Sequence, residues 1–387
     1  MNESDPRHVD VVVIGAGQAG LSAGYHLQRR GFEPWDATSD ALRRTFVVLD
    51  ANPAAGGAWQ HRWPSLRMGT VNGIHELPGA TVPPADPRAA SRDTLPPYFA
   101  DYEQRFDLRV QRPVQVRAVR RADADPRGRL LVETDHGTWA ARYVINATGT
   151  WTKPFWPSYP GRSRFRGRQL HVADYSSAEE FRGQRVIVVG AGVSGVQLLD
   201  EISHVADTVW MTRRPPQWID DDFDVPARVA AIAGVEDRVR RGLPPGSVIS
   251  VTGMHWTPWA RAAQARGVLV RHPMFSSIEE NGVRMPDGSF LAADAILWAT
   301  GFRAALDHLA PLHLRTPGGG IRADASRATD EPRLFLVGYG PSASTVGANR
   351  AGRAAVAQII ADLDERRGTD GTIHEAHPAP APRIDVA

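Results

Sequence analysis

The chain contains no cysteine. That absence removes disulfide scaffolds, thiolate metal sites, cysteine nucleophiles and redox-active dithiols at once. Long apolar runs are missing too: none approaches the roughly 20 residues of a membrane span, so no membrane is expected as a partner. Nor does charge of one sign prevail. Against 43 acidic residues stand 45 basic ones, nearly all Arg and scattered, for a net charge of +2. A nucleic-acid binder shows a basic patch or stripe, so no nucleic-acid partner is expected. The opening residues, Met1 to His8, lack the basic region and apolar stretch of a secretion signal and are expected to be frayed. A cytoplasmic location follows from these readings.

What is present is a repeated pattern. With 387 residues, 42% of them apolar, the chain has core enough for about two domains. Val11-Val12-Val13-Ile14 reads as a strand buried on both faces. It runs into Gly15-Ala16-Gly17-Gln18-Ala19-Gly20, a helix carrying Leu21, Tyr25 and Leu27, and a strand Phe46-Val47-Val48-Leu49 that ends in Asp50. The unit recurs. Arg185-Val186-Ile187-Val188-Val189 leads into Gly190-Ala191-Gly192-Val193-Ser194-Gly195, a helix through Leu198, Leu199 and Ile202, and a strand Thr208-Val209-Trp210-Met211. Two further apolar runs end alike, in Ala147-Thr148-Gly149 and in Ala299-Thr300-Gly301. The β-α-β order calls for parallel sheets with helices packed on them. The predicted fold is α/β, two Rossmann-like, three-layer dinucleotide-binding domains with the second inserted into the first. Boundaries are expected at 9–165 and 301–365 for the first domain and 166–300 for the second, with a disordered Pro-Ala-rich tail over 368–387.

The glycine spacing has a physical purpose. The first Gly permits a tight turn and the second lets the backbone approach a pyrophosphate. The third lets helix and strand pack closely, while the helix N-terminus faces the anion. With 36 glycines, one such triplet would arise by chance about 0.3 times in this chain. Two, each between an apolar strand and a helix, point to two dinucleotides. A carboxylate at the end of the second strand bonds a ribose, whereas Arg suits a 2′-phosphate. The first unit offers Asp50, displaced by an apparent insertion over 33–45. The second offers Arg213 and Arg214, whose alternative reading is a solvated strand end. FAD or NAD at the first loop and NADPH at the second is the simplest assignment.

Between and beyond the loops stand Gly56-Gly57-Ala58-Trp59, Trp63-Pro64-Ser65-Leu66-Arg67, Glu76-Leu77-Pro78 and Phe165-Arg166-Gly167-Arg168-Gln169-Leu170-His171-Val172-Ala173-Asp174-Tyr175. The last resembles the F-x-G-x-x-x-H-x-x-x-[YFW] fingerprint of class B flavoprotein monooxygenases: flavin-containing, Baeyer–Villiger and YUCCA-like enzymes. The resemblance covers about residues 9 to 362. It implies FAD and NADPH as cofactors, and O2 and a small-molecule substrate as partners. The implied reaction proceeds through a C4a-(hydro)peroxyflavin that oxygenates nitrogen or sulfur or performs Baeyer–Villiger insertion. It implies that Gly15, Gly17, Gln18, Ala19, Gly20, Gly57, Ala58, Trp59, Arg67, Met68, Ala147, Thr148 and Gly149 lie along FAD, with Asp50 on the ribose and Val116 presenting backbone to the adenine. Gly190, Gly192, Val193, Ser194, Gly195, Arg213, Arg214, Thr300 and Gly301 would hold NADPH, and Gly167, His171 and Tyr175 the linker between the cofactors. Two residues are catalytic candidates. His171 would either transfer a proton or couple the two domains, and Asn72 is the nearby candidate for the Asn that animal enzymes place near the flavin, for which the sequence offers no secure counterpart.

Tyr175, where Baeyer–Villiger enzymes usually carry Trp, leans the resemblance toward the N-oxygenating and YUCCA-like branches. An NAD(P)H-dependent flavoprotein reductase passing electrons to a non-thiol acceptor is the competing enzyme, and a nucleotide-sensing regulator the non-enzymatic one. No metal site is expected: Asp220-Asp221-Asp222-Phe223-Asp224 lacks ligand spacing, and His374 and His377 fall in the tail. Residues 215–259, with Trp218, Trp256 and Trp259, are a candidate substrate entrance against the commoner fate of aromatic core packing.

Overall fold

A computed structural model describes residues 5–38, 43–71, 73–219, 225–246 and 253–374. Strand β1 (Arg7–Ile14) pairs in parallel with β2 (Thr45–Leu49) on one side and with β5 (Gly137–Asn146) on the other. A hairpin of β3 (Val116–Arg121) and β4 (Leu130–Thr134) joins β5 antiparallel. Helices α1 (Gln18–Arg29) and α2 (Ser91–Arg105) cover this sheet. The chain then leaves it. Strands β6 (Arg168–His171), β7 (Arg185–Val189), β8 (Asp207–Met211), β9 (Arg271–His272) and β10 (Ala295–Trp298) build a second, parallel sheet in the order β9-β8-β7-β10-β6, with α3 (Val193–Ile202) after β7. It returns through β11 (Leu334–Leu336), parallel to β5, and ends in helix α4 (Thr345–His374) packed on α1. The fold is two dinucleotide-binding units, the second inserted into the first.

Alternation of side chains across each strand accounts for the layers. Val11, Val13, Phe46, Val48, Ile145 and Phe335 face α1 and α4, where Leu21, Leu27, Val356 and Ile359 meet them. Their neighbours Val12, Ile14, Val47, Leu49 and Val144 face the hairpin and Leu306, Leu309 and Leu312. The second sheet repeats the scheme, with Val186, Val188 and Leu297 against α3 and Ile187, Val189, Ile296 and Trp298 against Phe275, Ile278 and Val283. Both faces are covered, which is why these strands read as unbroken apolar runs.

Three expectations change. β1 starts at Arg7, not after a frayed octet, because Arg7 and His8 pair with Trp139 and Ala140 and the Arg7 guanidinium lies 4.4 Å from the Trp139 ring. Helix α4 carries on to His374, into the segment read as a disordered tail, since an established helix adds residues more cheaply than it nucleates. Within the presumed insertion over 33–45, Glu33 and Pro34 form an edge pairing with Thr45 and Phe46. Residues 39–42 of that segment, Asp220 to Asp224 and His377 lie outside the described residues. Among the described residues no helix is long and apolar enough to cross a membrane, and no group of three metal-ligating side chains occurs.

Trp298 is fully buried, stacks on Tyr159 at 5.9 Å and donates from its indole N–H to Gln169 at 3.3 Å. Trp298→Ala should lower the unfolding free energy by about 3–5 kcal/mol, measured by urea titration, and Trp298→Phe by less.

Candidate functional site

Both glycine loops sit at the C-terminal edge of their sheets, and each shows one pattern of contacts. A Cβ on Gly15, whose φ is +100°, would lie 2.6 Å from the Ala147 carbonyl oxygen, and one on Gly20 would lie 1.8 Å from that of Gly15. A Cβ on Gly190 would fall 2.2 Å from the Ala299 oxygen, and one on Gly195 3.0 Å from that of Gly190. The first and third glycines are thus demanded by the protein's own packing. The middle ones are not. Gly17 has only a Gly57 Cα at 4.0 Å, and Gly192 has no atom within 4 Å. Each middle glycine is also the residue preceding its helix, neither helix carries an acidic residue in its first turn, and neither is capped by a side chain. Free N–H groups and the helix dipole therefore face open space suited to an anion.

Around the first loop stand Asp50, Gly57 and Ala147. Asp50 ends β2, buried, with Asn52 Nδ2 donating to Oδ1 at 3.1 Å and the Arg112 guanidinium 3.6 Å from Oδ2. Oδ2 has no hydrogen-bond partner, and burial raises the carboxyl above its ordinary range. An orphaned buried acceptor of this kind suits a ribose hydroxyl. The short 3-10 helix Gly57–His61, holding Ala58 and Trp59, rests on the loop, a Cβ on Gly57 meeting Gly17 Cα at 2.8 Å. Ala147 N–H bonds Ile14 O at 2.8 Å, and Thr148 Oγ1 donates to Ala305 O at 2.7 Å beside Gly149. Gln18 reaches away from the loop, donating to Asn349 Oδ1 at 3.1 Å, while Ala19 is buried in the core. Arg67 is exposed, and Met68 N–H bonds Ala89 O at 2.9 Å. Val116 is buried in β3 opposite Thr134, and it is Val114 whose N–H reaches the Asp50 carbonyl, at 2.8 Å.

At the second loop, Arg213 and Arg214 stand exposed past the end of β8, with Val193 and Ser194 opening α3. Arg271, which sequence reasoning missed, joins them: its Nε donates to Thr212 Oγ1 at 2.9 Å and its Nη2 to Thr212 O at 3.2 Å. Only the parallel pairing of β9 with β8 brings it there. Thr300 Oγ1 donates to Phe155 O, beside Gly301.

The linker residues depart from expectation. His171 is fully buried with both ring nitrogens engaged. Nε2 donates to Gly301 O at 3.0 Å and Nδ1 accepts from Ala173 N–H at 3.1 Å, which defines a neutral ring. Burial lowers its pKa. In this arrangement His171 couples the end of β6 to the turn after β10. Gly167 precedes β6, at the opposite end of the sheet from the glycine loop, where a Cβ would lie 2.4 Å from Asp294 O. Tyr175 is buried in the α3 core, its hydroxyl donating to Glu201 at 2.8 Å. Both residues thus pack within the second unit. Asn72 lies outside the described residues.

The model of the pyridine nucleotide-disulphide oxidoreductase family matches residues 12–243. The flavin-containing monooxygenase of Stenotrophomonas maltophilia is 38% identical, with a TM-score of 0.76 over 92% of this chain and 99% of that one. The chain belongs to the flavin-containing monooxygenases, within that wider family. It is 28% identical to a Baeyer-Villiger monooxygenase of Streptomyces coelicolor over 63% of its length, and 28% identical to a probable indole-3-pyruvate monooxygenase YUCCA4 of Arabidopsis thaliana over 51%. It spans under half of each of these two curated relatives, 44% and 45%. The wider family's dithiol chemistry is closed to a chain without cysteine.

His308 shares this site's framework, with Nε2 2.7 Å from Asn146 Oδ1 and a pKa lowered to about 4 by burial. His26 is also lowered to about 4, and His171 in the same direction. Below the ordinary histidine value of about 6.5 the unfolded chain takes up protons that the fold refuses. Stability is therefore complete above that pH and declines as the pH falls toward 4. Melting temperatures should drop between pH 7.5 and pH 5 (about 2 °C or more), and His308→Gln should shrink the drop.

Proposed function

We propose that this flavin-containing monooxygenase uses FAD and NADPH to place one atom of O2 on a small organic substrate. The FAD unit comprises 9–165 with 301–365, and the NADPH unit 166–300. The supporting observation is the orphaned Oδ2 of Asp50 beside the open Gly17, a donor-and-acceptor set that fits a dinucleotide's ribose and diphosphate. Backbone N–H groups of the 15–20 loop would hold the FAD diphosphate. Those of the 190–195 loop, with Arg213, Arg214 and Arg271, would hold the NADPH phosphates.

The chemistry supplied by the bound pair is hydride transfer from nicotinamide to flavin, then delivery of one oxygen atom to substrate, the other leaving as water. The protein binds, orients and excludes water. His171 fixes the 299–301 turn, where the chain leaves the second unit for the first, through the Gly301 carbonyl. Gln197 on α3 donates to Thr70 O at 2.6 Å, and Ser65 to Glu201 at 2.8 Å, binding the second unit's helix to the segment that follows Trp59. Between Val193 and the stretch Gly69, Thr70, Val71 lies a cavity of about 140 Å³ that Trp218 and Trp259 also line. It is the proposed substrate site. No carboxylate occurs among its described lining residues, which suits an uncharged substrate.

The test is rapid mixing of the purified protein. After anaerobic reduction by NADPH, oxygenated buffer should restore the oxidised flavin spectrum only after a lag, with oxygen appearing in product from a panel of amines, sulfides and ketones. Immediate return with stoichiometric peroxide, unchanged across the panel, would identify a reductase that serves a separate acceptor. In a second measurement, replacing Arg213 and Arg214 with Ser should raise KM for NADPH roughly tenfold or more and leave KM for NADH in place.

A further inference from the structure

Arg62 ends the helix Gly57–His61, and nothing in the family fingerprint above involves it. Its guanidinium carbon lies 4.8 Å from the Trp151 ring and 5.4 Å from the Trp59 ring. Its Nε is closed off from solvent without a hydrogen-bond partner, and no carboxylate among the described residues pairs with it. The contrast with Arg112 is instructive, since that guanidinium is bidentate to Glu103 at 2.5 and 2.7 Å and also approaches Asp50. Burial lowers the Arg62 pKa to about 10, so the group stays charged at neutral pH. An indole face offsets part of a buried cation's desolvation. It supplies no acceptor for the N–H fork, and an unpaired buried charge is costly.

Two segments clasp this side chain, and both rest on the first glycine loop. The helix holding Trp59 packs on it through Gly57 at Gly17, and the segment that leads from the strand to Trp151 packs on it through Ala147 at Gly15. On the strand side, His61 lies 2.7 Å from Asn52, which bonds Asp50 at 3.1 Å, so the same cluster continues to the orphaned carboxylate. A cation without an anion is thus held between two segments that both pack on a loop whose N–H groups face an anion's place.

We propose that Arg62, clamped between Trp59 and Trp151, is the counter-ion for the diphosphate of the dinucleotide held by the first glycine loop. The inference rests on the reading of that loop as the FAD site, and it adds a side-chain charge to a cradle otherwise made of backbone. The experiment uses the full chain stripped of flavin and titrated with FAD, followed by fluorescence at low and high salt. Arg62→Met and the polar Arg62→Gln should each bind FAD roughly 10- to 100-fold more weakly. Their affinity should also depend less on salt, and Arg62→Lys should recover part of the loss. Flavin-free Arg62→Met should melt above the flavin-free wild type, because the unpaired charge has gone. FAD affinity within twofold of wild type in either uncharged variant overturns the proposal, as does a loss that leaves the salt dependence unchanged. A wild-type protein that takes up no FAD at all would overturn the reading of the loop and this inference with it.

Discussion

A steric constraint organises this molecule: at two places a helix begins so close to the strand before it that no side chain fits between them. The positions are occupied by Gly15 with Gly20 and by Gly190 with Gly195, where an added Cβ would fall 1.8 to 3.0 Å from a carbonyl oxygen. The close approach draws the first turn of each helix over the C-terminal edge of its sheet. There its unpaired N–H groups create a place for negative charge. The adjacent turns, 147–149 and 299–301, complete the constraint from the neighbouring strand, since Ala147 and Ala299 supply carbonyls against which Gly15 and Gly190 are fitted.

Polar contacts also tie the two units together. Between the units, Ser65 donates to Glu201 and Gln197 to Thr70, while within the second unit Tyr175 donates to the same Glu201 and His171 ties β6 to the turn at Gly301. The neutral state of His171 belongs to this arrangement: a ring that accepts at Nδ1 and donates at Nε2 would lose one bond on protonation.

The division between what was legible and what was not follows the range of the interactions. The apolar runs at 11–14 and 185–189, the two glycine triplets and Asp50 at the end of its strand could be read directly. Buried strands, tight turns and helix starts impose local rules on residue type. The β-α-β order likewise implied the parallel sheets and the return of the chain to the first unit. By contrast, Gly167 answers to Asp294 and Phe165, Tyr175 to Glu201, and the start of β1 to Trp139, partners that no nearby spacing announces.

By itself, then, the sequence determined that two dinucleotide cradles exist, in which order, and that no thiol takes part. Those properties reside in residue type and short spacing, which survive in a one-dimensional reading. Only the tertiary structure decided that His171 is a clasp, that Arg271 joins Arg213 and Arg214, and that Arg62 stands unpaired between two indoles. The physical reason is that a side chain's charge state and role depend on what occupies its other face, and those neighbours come from segments tens to hundreds of residues away.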